Sequence, residues 1–269
     1  MRKLNYAKVA SVIVADLKGY FEQSGFKKAV IGLSGGLDSA VVYALCVRAL
    51  GQDNVYGLAM PTGSSSLESV EHAVLVSTRF GGDLIRLDLT HTHGFIISMS
   101  DYLSLGREDE TDKQRALRHG NIAARLRMIT LFDFSAKLNA LVVGTENKSE
   151  HYLGYFTLFG DAASCVEPIR SLYKTEVFEL ARELGVPGEI IDKPPTADLW
   201  QGQTDEGELG FTYKEADEFI DKLLKQPDVA QLRPPLSEIE QKVLKQVRKV
   251  SFKHTIPHVV PDILIEDCE

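Results

Sequence analysis

The stretch that most constrains the fold is a glycine-rich turn between two structured segments. An apolar run, Ala29-Val30-Ile31, leads into Gly32-Leu33-Ser34-Gly35-Gly36-Leu37-Asp38-Ser39, and a helical pattern follows over residues 40–50. A strand that ends at paired glycines and reopens as a helix leaves backbone N–H groups exposed at the positive end of the helix dipole, where anions bind. The turn therefore predicts a phosphate loop.

Single residues refine this prediction. Gly35 and Gly36 permit positive φ and a close backbone approach, and the hydroxyls of Ser34 and Ser39 add hydrogen-bond donors. A carboxylate beside a polyphosphate repels it, so Asp38 indicates a bridging divalent cation such as magnesium. The Walker loop and the GxGxxG spacing are both absent. On glycine content alone, an ordinary tight turn remains an alternative.

Strand-like and helix-like segments alternate along the first half of the chain. A helical stripe every four residues begins near Asn5, and its members are Val9, Ile13, Leu17 and Phe21. Residues 55–60, 84–89 and 139–144 predict further strands, and Ser65 with Glu68 predicts a capped helix. This order is typical of a doubly wound α/β fold with a parallel sheet, in which ligands bind at the carboxyl ends of the strands.

The remaining segments predict loops and a helical end within a single domain over residues 1–269. Residues 104–115 are charged and turn-rich, which indicates a mobile loop that is either a plain linker or a lid. Residues 200–212 predict a second mobile loop. Residues 213–252 predict helices, one of them opened by a capping box of Ser237 and Glu240.

Composition excludes several classes. The 269 residues include 30 Lys and Arg against 38 Asp and Glu, and the net charge of −8 disfavours broad nucleic-acid binding. Cys46, Cys165 and Cys268 are widely spaced and odd in number, so neither a disulfide framework nor a zinc site is indicated. No signal core or membrane-length apolar run occurs, and we expect a cytoplasmic protein.

The string Ser34-Gly35-Gly36-Leu37-Asp38-Ser39 resembles the loop of the N-type ATP pyrophosphatases, which split ATP into AMP and pyrophosphate. Further segments resemble one family of that group, the ammonia-dependent NAD synthetases. They are GNIAARLRM at 120–128, GTENKSE at 144–150, Gly160-Asp161 with 168–169 and 172–175, and PPTADL at 194–199. They occur in the family's order, and the similarity covers roughly residues 7–257.

The resemblance implies a fold, a reaction and partners. The fold is a Rossmann-like, adenine-nucleotide alpha-hydrolase-like sheet. The reaction amidates deamido-NAD with ammonia at the expense of ATP, with magnesium as cofactor, and gives NAD, AMP and pyrophosphate. The family also implies a homodimer. Glutamine-dependent relatives carry an extra N-terminal amidase domain, which we expect this chain to lack.

The resemblance also assigns roles to residues. Lys174 neutralises the departing pyrophosphate, and Asp161 lies near the reacting centre, where we expect it to orient or deprotonate ammonium. Asp38 and Glu150 hold the metal. The ATP contacts are residues 32–39, Thr145, Lys174 and Thr196. The deamido-NAD contacts are Asn121, Arg125, Leu158, Cys165 and Lys253. Taken alone, Glu150 and Lys174 are more simply explained as solvated surface charges.

This chain departs from the family pattern on the substrate side. Leu158 stands where much of the family has lysine, Cys165 replaces an aspartate, and Phe252-Lys253 replaces a His-Lys pair. These changes spare the ATP side, so we interpret them as one branch's solution for the same substrate, with a changed substrate as the alternative. We expect Cys165 to be a small buried filler.

Two other functions stay open at this point. One is a related pyrophosphatase that adenylates a different acid or tRNA, against which the acidic charge counts weakly. The other is a non-catalytic nucleotide-binding module. Such a module has no need of a second metal carboxylate and a pyrophosphate lysine, so Glu150 and Lys174 favour an enzyme.

Overall fold

A four-stranded parallel sheet forms the centre of the protein in the computed structural model, which describes residues 2–102, 109–197, 202–226 and 236–257. Its strands lie in the order β3-β2-β1-β4 and are β1 (Lys28–Gly32), β2 (Val55–Ala59), β3 (Asp83–Arg86) and β4 (Ala140–Val143). In the register, Ile31 of β1 lies between Gly57 of β2 and Val143 of β4. Strand order reverses beside β1, so the loop that follows β1 lies at the topological switch point, where folds of this kind bind their ligands.

Helices cover both faces of this sheet, as predicted for a doubly wound fold. Helices α1, α2 and α7 pack together on one face, and α5 contacts β1 and β4 on the other. The helices are α1 (Tyr6–Ser24), α2 (Leu37–Leu50), α3 (Leu67–Phe80), α4 (Thr90–Tyr102), α5 (Asp112–Leu138), α6 (Lys148–Leu153), α7 (Lys174–Leu184), α8 (Gly188–Ile191), α9 (Asp205–Leu209), α10 (Tyr213–Lys225) and α11 (Glu238–Val250).

Alternation along β1 divides its side chains between two cores. Ala29 and Ile31 join the larger core with the stripe of α1, whereas Val30 joins the core under α5. All three side chains are fully buried, which explains why the strand reads as a continuous apolar run. Asn5 is the N-cap of α1, because its side chain accepts a hydrogen bond from the Lys8 N–H at 2.9 Å.

A third core lies among the C-terminal helices. It combines Leu153 of α6, the apolar face of α10 and Val243 of α11. The predicted capping box of Ser237 and Glu240 opens α11. This small core is important for the site because it fixes α6 and α10 beside the start of α7.

Several predicted boundaries are corrected. The N-cap of α3 is Ser66, which accepts from the Ser69 N–H, so the predicted capping box of Ser65 and Glu68 is wrong by one residue. Helix α2 begins at Leu37, inside the phosphate loop, and β3 ends at Arg86. Helices α4 and α6 were not predicted, because the apolar residues of α4 are not confined to one face and α6 is short.

Both predicted loops contain helix. Residues 112–115 belong to α5, whose N-cap Thr111 forms a capping box with Gln114, and residues 205–209 form α9. Outside the described residues lie 104–108 of the first predicted loop, 200–201 of the second, Asp198 and Leu199 at the end of the PPTADL segment, and Cys268. In the part of the chain that is described, no helix is long and apolar enough to cross a membrane.

Candidate active site

The phosphate loop joins β1 to α2 at the carboxyl edge of the sheet. Gly35 has a φ of 78°, and a Cβ atom there would lie 2.0 Å from the backbone oxygen of Ser69, so this position requires glycine. Gly36, with a φ of −89°, has extended backbone, and the predicted positive φ is wrong at this residue. Gly36 is also the N-cap of α2 and offers no side chain to its first turn, which leaves the helix N-terminus open to an anion.

The two loop serines bond within the loop. Ser34 Oγ accepts from the Gly36 N–H at 3.2 Å and lies 3.1 Å from Ser39 Oγ. Ser39 Oγ donates to the Gly36 carbonyl at 3.0 Å. The hydroxyls predicted as ligand donors therefore also hold the turn in shape.

A lysine and two carboxylates meet beside this loop. Lys174, the first residue of α7, donates from Nζ to Asp38 Oδ2 at 2.5 Å and to Glu150 Oε1 at 2.9 Å. The Lys174 side chain is 4% exposed, and each carboxylate side chain is 16% exposed. Since both carboxylates reach one atom, one small cation can also reach both. The structure thus brings together the residues predicted to hold metal and pyrophosphate.

Asn147 holds the side chains of Asp38 and Glu150 in position, a role that the sequence analysis missed. As the N-cap of α6, its side chain accepts from the Glu150 N–H at 3.0 Å, and Glu150 Oε2 accepts from the Asn147 N–H at 3.2 Å. The amide also donates to Asp38 Oδ1 at 2.9 Å. One asparagine therefore ties the α6 carboxylate to the α2 carboxylate. The capping pattern Asn-x-x-Glu was a detectable signal for the first of these bonds.

The charge of the cluster depends on Glu150. Burial alone lowers the pKa of Lys174, but the charges of Asp38 and Glu150 outweigh this effect and raise it, so the side chain is an ammonium at neutral pH. Burial, followed by the charge of Asp38, raises the pKa of Glu150 to about 8 against the opposing effect of Lys174, so this carboxyl is mostly protonated at neutral pH. A cation bound between the two carboxyl groups would lower this pKa and replace the proton. The cluster is therefore suited to exchange a proton for a metal ion.

These residues line one cleft of about 830 Å³. The phosphate loop, Thr145, Glu150, Lys174 and Thr196 form one part of its wall. Asn121, Asp161 and Lys253 also line it. Other lining residues are Arg127, Lys113 and Lys193, which the sequence analysis did not assign to a ligand. The predicted ATP contacts other than Gly35, two of the predicted substrate contacts and Asp161 thus share one space.

Three predicted substrate residues lie outside the lining of this cleft: Arg125, Leu158 and Cys165. Arg125 donates from Nε to the Leu158 carbonyl at 3.3 Å, so it holds the loop after α6. Arg127, two positions later, is the arginine that lines the cleft, and it donates to the Met60 carbonyl at 3.1 Å. Cys165 is exposed, so the prediction of a buried filler is wrong.

The remaining predicted residues hold neighbouring backbone. Lys253 donates to the carbonyls of Gly154 and Phe156 at 2.6 and 2.7 Å. Asp161 accepts from the Thr157 N–H at 2.8 Å, and Thr157 Oγ1 donates to Asn121 at 2.7 Å. Asp161 is open to solvent at the cleft, although the protein around it raises its pKa by desolvation.

Comparison with known proteins identifies the family. The sequence profile described as NAD synthase matches residues 9–257, which is most of the chain. The chain belongs to the NAD synthase family. It is therefore a ligase of ammonia-dependent NAD synthesis that forms a C–N bond and uses ATP as co-substrate. An NH(3)-dependent NAD(+) synthetase of Wolinella succinogenes is 45% identical over 264 residues, covering 96% of this chain and 97% of its own. One of Chlorobaculum tepidum is 43% identical, covering 94% and 88%.

Solved structures agree with this membership of the NAD synthase family. An NH3-dependent NAD synthetase from Campylobacter jejuni superposes with a TM-score of 0.75 at 32% identity, covering 96% of this chain and all of its own. An NMN synthetase from Francisella tularensis superposes with a TM-score of 0.84 at 29% identity, covering 97% and 100%. The doubly wound sheet and the C-terminal helices are thus shared along nearly the whole length.

Proposed function

We propose that the cleft amidates deamido-NAD with ammonia through an acyl-adenylate. The observation that carries this proposal is the meeting of Lys174, Asp38 and Glu150 at the end of the phosphate loop. A carboxylate oxygen is a poor leaving group, so amidation requires that ATP first convert it into a better one. A lysine and two carboxyl groups that can hold a metal ion, placed beside a phosphate loop, are suited to that conversion.

Two displacements follow. A carboxylate oxygen of the substrate attacks the α-phosphorus of ATP, the bond from that phosphorus to the bridging oxygen breaks, and pyrophosphate leaves. Lys174 is placed to neutralise the charge that develops on pyrophosphate. Ammonia then attacks the acyl carbon and loses a proton, and AMP leaves with the former carboxylate oxygen. The backbone N–H groups of the phosphate loop hold the phosphates during the first displacement.

Magnesium fits the Asp38–Glu150 pair. Both side chains offer the hard oxygen ligands that this ion prefers, and the ion would replace the proton that Glu150 carries at neutral pH. In the described part of the chain no three His, Cys, Asp or Glu side chains gather as a metal site. We infer that ATP oxygens and water complete the ligand set, as is usual for magnesium at phosphates. When bound, the ion would supply charge neutralisation for the ATP phosphates.

Asp161 is proposed to orient or deprotonate ammonium, since only neutral ammonia attacks the acyl-adenylate. We expect Asp161→Asn to lower the rate of NAD formation at limiting ammonium by about 10²-fold, the lower end of general-base effects. Asparagine keeps an oxygen for the Thr157 N–H, so the fold should survive. The deficit should narrow as pH rises, because free ammonia then becomes more abundant. Full activity of the variant at limiting ammonium would refute the role.

A direct assay tests the proposed function. The purified protein is incubated with ATP, magnesium, ammonium and deamido-NAD, and NAD and AMP are quantified. We expect equal amounts of both, and little product when glutamine replaces ammonium. A parallel arm offers nicotinic acid mononucleotide, because the Francisella tularensis relative is named for NMN and because Leu158 and Cys165 depart from the family pattern. AMP without NAD would favour a related pyrophosphatase, and no AMP would favour a binding module.

A homodimer is also proposed, supported by an apolar surface on α4 and α5. Phe95, Met99 and Tyr102 lie along one face of α4 and are 65%, 57% and 86% exposed, and Ile129 of α5 is exposed as well. Exposed apolar patches of this kind mark protein interfaces. We expect sedimentation to give about twice 29.8 kDa, and Phe95→Glu with Met99→Glu to give the monomer mass. Leu67→Glu, on the exposed side of α3, is the matched control. A monomeric wild-type protein would refute the proposal.

We place this reaction in the cytoplasm. Cys46 and Cys165 are both free thiols, which fits a reducing compartment.

A further inference from the structure

Helix α7 begins against a fully buried carboxylate from another helix. Asp217, in the middle of α10, has no exposed surface. Its Oδ2 accepts from the Thr175 N–H at 3.0 Å and from Thr175 Oγ1 at 2.8 Å. Its Oδ1 accepts from the hydroxyl of Ser149. Donors from α6 and α7 thus converge on one side chain of α10.

Ser149 extends this network to Lys174. Its Oγ accepts from the Lys174 N–H at 2.8 Å while its proton is donated to Asp217. A hydroxyl has one proton, so the carboxylate decides which way the Ser149 hydroxyl points. The first two N–H groups of α7, those of Lys174 and Thr175, are therefore satisfied from outside the helix.

An ordinary helix start does not need this arrangement. The N-cap residue of α7, Tyr173, makes no capping hydrogen bond with its side chain, whereas most helices cap their first turn with a local Ser, Thr, Asp or Asn. Removing a carboxylate from water is unfavourable unless it is well bonded. Burial raises the pKa of Asp217 to about 6, which reflects this unfavourable environment. Asp217 nevertheless holds the residue before Glu150 and the residue after Lys174.

We propose that Asp217 is a positioning residue for ATP cleavage: by holding Ser149 and Thr175 it fixes the backbone from which Glu150 and Lys174 reach the phosphates. Asp217 does not itself line the cleft, so it acts through these two residues. The inference rests on the proposed function, in which Lys174 neutralises the departing pyrophosphate. A misplacement of about 1 Å in such a group lowers the rate by on the order of 10²-fold.

Two variants break the network from opposite sides. Asp217→Asn keeps the shape of the side chain but turns one acceptor into a donor. Either the Thr175 N–H then loses its acceptor, or the Ser149 hydroxyl loses the acceptor of its proton and must turn. Ser149→Ala removes the link to the Lys174 N–H. Glu218→Gln is the matched control, because Glu218 is the next residue of α10 and is exposed.

We expect both variants to lower kcat for AMP formation and the rate of ATP–pyrophosphate exchange by the same factor, about 10²-fold. KM for ammonium should not change, because the ammonia step does not depend on Lys174. The double variant should be no slower than the slower single variant, since both act through one backbone. Glu218→Gln should match the wild type.

A merely structural role gives a different pattern. In that case the variants lower the fraction of molecules that fold. The folded molecules are counted by their binding of a non-hydrolysable ATP analogue, and kcat per folded molecule stays at the wild-type value. This outcome would overturn the proposal. Wild-type kcat in folded Asp217→Asn and Ser149→Ala would also overturn it. If Asp217→Asn does not fold, Ser149→Ala decides alone. Absence of pyrophosphate exchange in the wild type would instead contradict the proposed function.

Discussion

Replacing Lys174 by methionine is expected to lower kcat for AMP formation by roughly 10²- to 10³-fold, the usual loss when a group that stabilises developing charge is removed. The Lys174 ammonium contacts both Asp38 and Glu150 at the end of the phosphate loop and is the cation closest to them. Methionine keeps the length of the side chain without its charge. The measurement is the release of labelled AMP under saturating ATP, with circular dichroism to establish folding.

Two further variants sharpen this test. Lys174→Arg restores a positive charge, and we expect it to recover part of the lost rate, because a guanidinium has a different shape from an ammonium. Lys214→Met removes an exposed lysine of α10 and should behave as wild type. Breaking a buried ion pair costs about 3–5 kcal/mol of stability, so the assays are run at low temperature. A folded Lys174→Met variant whose kcat is within threefold of wild type would show that the lysine is not used.

Removing either carboxylate of the pair is expected to weaken the response to magnesium. We expect Asp38→Asn and Glu150→Gln each to raise the magnesium concentration for half-maximal AMP formation by about 10- to 100-fold. Loss of a residue that only hydrogen-bonds to a metal ligand already weakens metal binding by this factor. The physical reason is the loss of one anionic oxygen ligand from a site with only two carboxylates. The control is Glu189→Gln, which replaces an exposed carboxylate on α8.

A binding measurement separates this effect from activity. Calorimetry with a non-hydrolysable ATP analogue should show that magnesium strengthens nucleotide binding to the wild type much more than to either variant. Equal magnesium dependence in all proteins would mean that the Asp38–Glu150 pair does not hold the ion. In that case Lys174 would be the only positively charged group among the described residues that pairs with the two carboxylates.

Local patterns predicted the parts of this structure that local physics decides. The four-residue stripe of α1 follows from helical periodicity, and Ile13, Leu17 and Phe21 are buried as expected. Gly35 follows from the need for positive φ at a close backbone contact. Helices α4 and α9 were missed because their local patterns are weak. The apolar residues of α4 are not confined to one face, and α9 is only one turn inside an acidic run.

Contacts between distant residues could not be predicted in this way. Asp38 and Lys174 are 136 positions apart, and Asp217 lies 68 positions from Ser149. Periodicity has no information on such pairs, because they depend on how complete helices pack. The resemblance to the NAD synthetases did predict that Asp38, Glu150 and Lys174 act in one site. It did not reveal Asn147 or Asp217, which act on those residues through hydrogen bonds, and it did not indicate that Cys165 is exposed.

Transfer of a labelled oxygen tests the central claim most directly, namely that this cleft adenylates a carboxylate before ammonia enters. Deamido-NAD carrying ¹⁸O at both carboxylate oxygens is converted with ATP, magnesium and ammonium, and the AMP is analysed by mass spectrometry. Because AMP leaves with the oxygen that attacked the α-phosphorus, we expect one ¹⁸O atom in each AMP formed together with NAD. AMP without the label, or ADP as the nucleotide product, would contradict the account.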